Sequence, residues 1–275
     1  MGEYLGFREV TLSDEELALI YQKTPNYNLG CLENEYLVVH NKNGEIVDHF
    51  RWDGNQFVQV PYKQINSRFC GKVKPRNTQQ RLAIDMLYNP EITINMLGGK
   101  FGTGKTFIMA TTAMDLLEKG KFDKLVYVRN NIEVKDSKPI GFIPGDKDEK
   151  LLPFAMPIAD HIGGPEALKM MISQGSIEIA HFGQIRGRDI KNSIIMCSEV
   201  ENMTKEHIQL LIGRVAEGSV LWLDGDVKQV DMEVFRKNSG MEIALDRLKG
   251  HHRFGYVKLI KTERSETAAM ADLLD

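Results

Sequence analysis

The stretch Gly98-Gly99-Lys100-Phe101-Gly102-Thr103-Gly104-Lys105-Thr106 is where residue type and spacing most clearly imply chemistry. Gly99, Gly104, Lys105 and Thr106 fill every fixed position of G-x-x-x-x-G-K-[ST], the phosphate-binding loop. Glycines let such a backbone curl until successive N–H groups face phosphate oxygens, and bulk there would block the approach. In this pattern the lysine reaches the β- and γ-phosphates and the threonine hydroxyl ligates Mg²⁺. The expected nucleotide contacts are therefore Gly99, Lys100, Phe101, Gly102, Thr103, Gly104, Lys105 and Thr106, with ATP and Mg²⁺ as cofactors and Thr106 on the metal.

The elements around the loop must place it. Ile92 to Leu97 reads as a short buried strand, and Phe107 to Lys119 carries Phe107, Ala110, Met114 and Leu117 at helical spacing before Gly120. Strand, glycine loop and helix put phosphate at a helix N-terminus. Beyond it, strands at Lys124 to Arg129, Ser176 to Ala180, Asn192 to Cys197, Ser219 to Asp224 and Gly255 to Ile260 alternate with helices such as Thr204 to Val215. That alternation predicts an α/β fold with a parallel sheet covered by helices. Asn130 to Pro165 is long for a connection and rich in Gly and Pro, so it is expected to be functional.

Residues 1–70 read as a small β-rich N-terminal domain ahead of a phosphate-loop domain at 71–275. Ser13 and Glu16 form a capping box for a short helix. Three alternating runs follow, separated by Asn43-Gly44 and Asp53-Gly54, which favour type I′ hairpin turns. Phe50, Trp52 and Phe57 are more simply the core of this meander than a base-stacking platform.

Other candidate site residues follow the strands. Ser193 to Cys197 runs into Ser198-Glu199, where Glu199 can activate the attacking water while Ser198 is a poor magnesium partner. The strand Val220 to Leu223 ends in Asp224-Gly225-Asp226-Val227-Lys228-Gln229, on the ligand edge of an open sheet, either as a γ-phosphate sensor or as a polar turn. Gln80, upstream of the loop, either reads adenine through its carboxamide or is a solvated helix start. Among the arginines to weigh, with Arg129, are Arg186 and Arg188, which can contact a nucleic-acid backbone. Arg264 can act as an arginine finger, although most single arginines are surface ion pairs.

Composition sets the limits. The 275 residues carry a net charge of −3 and are 42% apolar and 27% charged, ordinary for a soluble globular chain and without a strongly basic tail. Cys31, Cys70 and Cys197 are too few and scattered for a disulfide framework or zinc pattern. No apolar run spans a bilayer and no signal peptide is evident, so a cytoplasmic protein without membrane contact is expected.

The ordered set of motifs resembles the PhoH-like ATPases, relatives of superfamily 1 helicases. It comprises Lys74-Pro75-Arg76-Asn77 with Gln80, the loop Gly99–Thr106, and Gly141 to Asp146. Further on come Ile177 to Ala180 with Arg186-Gly187-Arg188, then Gly225 to Asp231, then Glu263-Arg264-Ser265. The resemblance covers about residues 72–275 and implies a RecA-like P-loop NTPase core that hydrolyses ATP. It further implies action on RNA or single-stranded nucleic acid as a helicase-like motor, and a homo-oligomer, with a hexameric ring as one form. Residues 30–70 look like the connector of longer relatives that carry an N-terminal PIN nuclease domain, and no PIN domain is expected before it here. Carried over by position, Gln80 reads adenine, Lys105 and Thr106 hold phosphate and magnesium, Glu199 is the base, and Gln229 contacts the γ-phosphate. Arg264 would complete a neighbour's site.

One departure stands out. The family pattern Asp-Glu-Ala-Gln-Asn begins with an aspartate where this chain has Ser198, whereas Asp224 stands where the family commonly has a small polar residue. If the strand of Asp224 lies between the loop strand and that of Ser198, Asp224 partly replaces the missing carboxylate on the metal. The competing expectation is a nucleotide-binding switch or scaffold whose hydrolysis Ser198 has weakened.

Overall fold

The structure is a computed structural model that describes residues 3–129, 147–227 and 239–263. Near the start of the chain, β1 (Phe7–Thr11), α1 (Asp14–Tyr21), β2 (Tyr36–His40), β3 (Ile46–Trp52) and β4 (Phe57–Gln59) build a four-stranded sheet in the order β1-β2-β3-β4. The three expected strands form an antiparallel meander, and β1 joins it as a parallel neighbour of β2. α1 supplies the crossover that a parallel pair needs. Its capping box is formed: Ser13 Oγ accepts from the Glu16 amide at 3.2 Å, and Glu16 Oε2 accepts from the Ser13 amide at 2.8 Å.

The two turns are not the expected type I′. That type needs positive φ at both central residues, and only Gly44 and Gly54 have it, whereas Asn43 and Asp53 do not. Side chains organise longer loops instead. Asn41 Oδ1 accepts from the amides of Asn43 and Glu45, and Asp53 Oδ1 from those of Asn55 and Gln56. Phe50, Trp52 and Phe57 are buried and pack edge to face, Trp52 against Phe57 at 5.1 Å. They are the core of the small sheet and offer no open face to a base.

A hairpin of β5 (Ile65–Ser67) and β6 (Gly71–Val73) leads into α2 (Thr78–Tyr88), whose N-cap is Asn77. The remaining elements are β7 (Ile94–Gly98), α3 (Lys105–Glu118), β8 (Lys124–Arg129), α4 (Lys147–Ala159), α5 (Pro165–Ser173) and β9 (Ile177–His181). After them come α6 (Phe182–Ile185), β10 (Ser193–Cys197), α7 (Lys205–Ile212), β11 (Val220–Gly225), α8 (Gly240–Leu248) and β12 (Phe254–Lys258). The six strands from β7 onward pair in the order β12-β7-β11-β10-β8-β9, every pair parallel. β10 is buried at every position, as a parallel strand covered on both faces must be. Ile194 and Met196 face the core built with α2, α3 and α4, and Ile195 and Cys197 face the one built with α7 and α8.

Part of the long segment taken as a connection is helical. α4 runs to Ala159 with Pro153 and Pro157 inside it. Interior prolines are costly to a helix, but burial of Ala155, Ile158 and Ala159 in the main core opposes that cost. Fully burying one larger aliphatic side chain contributes about 1.5–3 kcal/mol, so tertiary packing outweighs local preference here.

Two polar clusters join the small sheet to the large one. Asn34 Nδ2 donates to the carbonyls of His252 at 2.9 Å and Phe254 at 3.1 Å, while its Oδ1 accepts from Arg51 at 2.8 Å. On α2, Asp85 receives Lys63 at 2.9 Å and the Tyr36 hydroxyl at 3.1 Å. Stranding buried carbonyls costs about 1–3 kcal/mol, so Asn34→Ala is expected to lower the urea midpoint by that equivalent with an unchanged slope. An unaltered midpoint would show that Asn34 does not help to fasten the two sheets.

Candidate nucleotide and metal site

The phosphate loop hangs between the end of β7 and the start of α3. Gly99 has a φ of 137°, and a Cβ there would lie 2.2 Å from the Leu259 carbonyl oxygen, so the loop passes too close to the end of β12 for a side chain. Gly104, the N-cap of α3, has a φ of 91° in the left-handed region. Thr103 braces the turn from inside, its Oγ1 donating to the Lys100 carbonyl at 2.9 Å. Lys105 folds back over the loop, with Nζ donating to the carbonyls of Gly99 at 2.6 Å and Lys100 at 3.1 Å. Its ammonium therefore rests where phosphate oxygens are expected.

The loop separates two clefts, each of about 520 Å³. One is lined by Val73, Pro75, Gln80, Gly102, Phe107 and Glu263, apolar walls with a few polar groups, which suits a purine and its sugar. Gln80 is buried beside the loop; its Oε1 accepts from the Arg76 amide at 2.9 Å and its Nε2 donates to the Thr103 carbonyl at 3.3 Å. One lone pair and one N–H remain on that carboxamide. Asn77 Nδ2 donates to Glu263 Oε1 at 2.8 Å, and the Glu263 amide donates to the Gly102 carbonyl at 3.1 Å, so the chain after β12 closes against its own loop.

The other cleft brings together Phe101, Lys105, Thr106, Arg129, Ser198, Glu199, Glu201, Asp224 and Asp226. Strand order explains this. β11 lies between β7 and β10, so the ends of all three strands meet at one edge. Thr106 Oγ1 donates to Asp224 Oδ2 at 2.8 Å, and the Glu199 amide donates to Asp224 Oδ1 at 3.2 Å. Burial raises the Asp224 carboxyl above its ordinary value, opposed by the Lys105 ammonium and the hydrogen bonds of Thr106, Glu199 and Ser198. Among the described residues no group of three or more His, Cys, Asp or Glu could hold an ion alone. A hydroxyl beside one carboxylate does fit Mg²⁺, which commonly keeps several waters and takes its other ligands from phosphate.

Glu199 sits in the left-handed region with φ 59°, and Arg129 Nη2 lies 3.1 Å from its Oε2. Arg129 Nη1 also approaches the Tyr127 hydroxyl at 3.5 Å, which donates to Ser198 Oγ at 3.3 Å. Phe101 is exposed on the rim and Lys100 is exposed beside it. Gln229 and Arg264 lie outside the described residues, as does Gly141 to Asp146. The arginines after β9 divide. Arg186 is exposed, whereas Arg188 gives Nη1 and Nη2 to Glu178 at 2.5 and 3.1 Å and, with Lys124, holds that carboxyl down at about 2.

The sequence did not single out Glu201, Tyr127 or the contact between Arg129 and Glu199. Glu201 is buried beneath Gly225, its Oε2 accepting from the Asp226 amide at 3.1 Å. Its signal was a second acid two positions after Glu199. The larger cleft, about 820 Å³ and lined by Leu87, Phe122, Ala216 and Arg253, opens at the N-terminal ends of the strands. Ligands of open α/β sheets bind at the other edge.

A family model described as PhoH-like protein matches residues 72–272. The chain belongs to the PhoH-like family. It is 37% identical to Protein PhoH2 of Bacillus subtilis over 212 residues, 74% of this chain and 48% of that protein. With Protein PhoH2 of Mycolicibacterium smegmatis it shares 29% over 72% of this chain and 46% of the relative. It thus spans about half the length of these PhoH2 proteins. A PhoH-like protein of Bacillus subtilis is 29% identical over 80% of this chain and 68% of its own length. Among solved structures, a Pif1 helicase from Candida albicans aligns over 72% of this chain and 43% of its own, at 16% identity and a TM-score of 0.36. As a PhoH-like protein the chain carries a P-loop NTPase fold, and none of its described helices is long and apolar enough to cross a membrane.

Glu201 supplies a pH test. Burial pushes its carboxyl up to about 7. A carboxyl raised on folding contributes stability that is complete below the unfolded value and lost as pH rises toward 7. In the nucleotide-free protein, Glu201→Gln is expected to raise stability at pH 8 by on the order of 1–3 kcal/mol and by nearly nothing at pH 4.5. Equal changes in melting temperature at both pH values would show that the carboxyl is not the source.

Proposed function

We propose that the chain binds ATP with Mg²⁺ and hydrolyses it, and that it acts on RNA or single-stranded nucleic acid as a helicase-like motor. The observation that carries hydrolysis is the Thr106–Asp224 hydrogen bond beside Glu199. It supplies a hydroxyl and a buried carboxylate next to the phosphate loop even though Ser198 is the residue that follows β10. Thr106 and Asp224 are the residues that would hold Mg²⁺, which when bound would supply positive charge beside the phosphates. Lys105 exchanges its loop carbonyls for the β- and γ-phosphates, and Gln80 offers its remaining N–H and lone pair to adenine. Glu199 takes the proton of the attacking water. Asp224 orients Thr106 with one oxygen and fixes the Glu199 backbone with the other.

The family relation supports nucleic acid as the partner, and Arg186, exposed after β9, is the described cation best placed to meet it. Arg188 contributes from its pair with Glu178, as a support to that surface. Such binding is led by phosphates and weakens steeply with salt.

ATP turnover measured with and without single-stranded RNA tests the whole proposal. Stimulation by RNA is expected in the native chain, and Lys105→Ala should lose nucleotide binding while keeping its melting temperature. Binding without turnover under every condition would favour the switch or scaffold. The metal role of Asp224 is tested separately. Asp224→Asn should raise the magnesium concentration needed to tighten binding of a fluorescent ATP analogue, and adding Ser198→Asp should restore it. An unchanged magnesium curve would leave Asp224 as a fold residue only.

A further inference from the structure

Strand order gives the ion pair between Arg129 and Glu199 a direction. Going outward from the phosphate loop the strands run β7, β11, β10, β8 and β9. Glu199 follows β10 by two residues, and its carboxylate pairs with Arg129 at the end of β8, on the side away from β7. A γ-phosphate held by Lys105 and Thr106 would place its attacking water toward β7. Glu199 lines the same cleft as Lys105 and Thr106, with one of its carboxylate oxygens engaged by the guanidinium at 3.1 Å.

Arg129 also links this cleft, through its backbone, to β9. On one side it lines the cleft with Lys105, Thr106 and Asp224. On the other, it is paired in register with His181 of β9, from which the chain continues into α6 and exposed Arg186. A strand of phosphodiesters lying along the β8–β9 edge would bring anions to the guanidinium that now holds Glu199. Phosphate and carboxylate compete for the same planar donor. The Glu199 side chain is 56% exposed, so it has room to turn, whereas Arg129 at 18% is held by its surroundings.

We propose that Arg129 couples nucleic-acid binding to ATP hydrolysis: it holds Glu199 turned away at rest and releases it when a nucleic-acid phosphate takes its place. Arg129 acts through Glu199 and is a positioning residue. The inference rests on the ATPase and nucleic-acid function proposed above, and it adds the regulation of that site.

The test compares native chain, Arg129→Ala and Arg129→Gln in ATP turnover with and without poly(U), alongside affinity for a fluorescent ATP analogue. Breaking a half-exposed ion pair is expected to raise turnover without RNA by about two- to fivefold. The ratio of stimulated to unstimulated turnover should fall by the same factor, read at saturating ATP as set by the analogue affinity of each variant. Compared with Glu199→Gln alone, the double variant with Arg129→Ala should show no gain, and a gain there would overturn action through the base. Arg129→Gln can still donate to Tyr127 and serves if truncation unfolds the chain. A fall in unstimulated turnover with the ratio unchanged would overturn the proposal, because Arg129 would then hold Glu199 in its working position. Native chain that turns over ATP but ignores RNA would refute the nucleic-acid part of the function and the coupling with it. A native chain with no turnover would refute the ATPase assignment itself.

Discussion

A single buried carboxylate organises the edge of this sheet beside the phosphate loop. Asp224 is 2% exposed and receives the Thr106 hydroxyl on one oxygen and the Glu199 amide on the other. The first bond ties the start of α3 to β11, and the second ties β11 to the chain leaving β10. A buried charge without partners costs several kcal/mol, so this position can hold an aspartate only while Lys105, Thr106 and Ser198 surround it. Loop, helix and two strand ends therefore share one electrostatic condition. The left-handed backbone of Glu199, unusual for a residue with a side chain, is held in place by the amide that Asp224 accepts.

That dependence also explains why Ser198 is tolerated. The hydroxyl cannot bring charge to the site, but it belongs to the shell around Asp224. Against the pattern that the resemblance implies, the carboxylate stands one strand over at the same edge, because β10 and β11 run parallel and in register from Ile194 and Val220 onward. Exchange between adjacent strand ends preserves the local balance in a way that exchange along one strand, which flips the side chain to the other face, would not.

Much of this was legible before any coordinates. The phosphate loop, its flanking strand and helix, and the position of β11 between β7 and β10 follow from a motif whose geometry is strongly constrained. The buried strands were readable as continuous apolar runs. Contacts that depend on lateral pairing were not. Arg129 meets Glu199 across seventy positions of sequence only because β8 pairs with β10. Glu201 looks like any surface acid until Gly225 leaves it room beneath β11. α4 was hidden by Pro153 and Pro157, since its helical state is set by what it packs against. β1 was missed because Phe7-Arg8-Glu9-Val10-Thr11 pairs through its backbone while most of its side chains stay at the surface.

The folded-back Lys105 changes how affinity for nucleotide must be counted. With its ammonium on the carbonyls of Gly99 and Lys100, the loop is already internally hydrogen-bonded. Arrival of a triphosphate is a substitution reaction, with phosphate oxygens replacing carbonyl oxygens around the same nitrogen. Only the difference between the two sets of bonds contributes to affinity, so the gain on that nitrogen is smaller than a count of contacts in the complex would suggest. The same internal bonds give the lysine a defined place to return to when product leaves. In the proposed reaction, these carbonyls would help release of nucleotide by receiving the ammonium again.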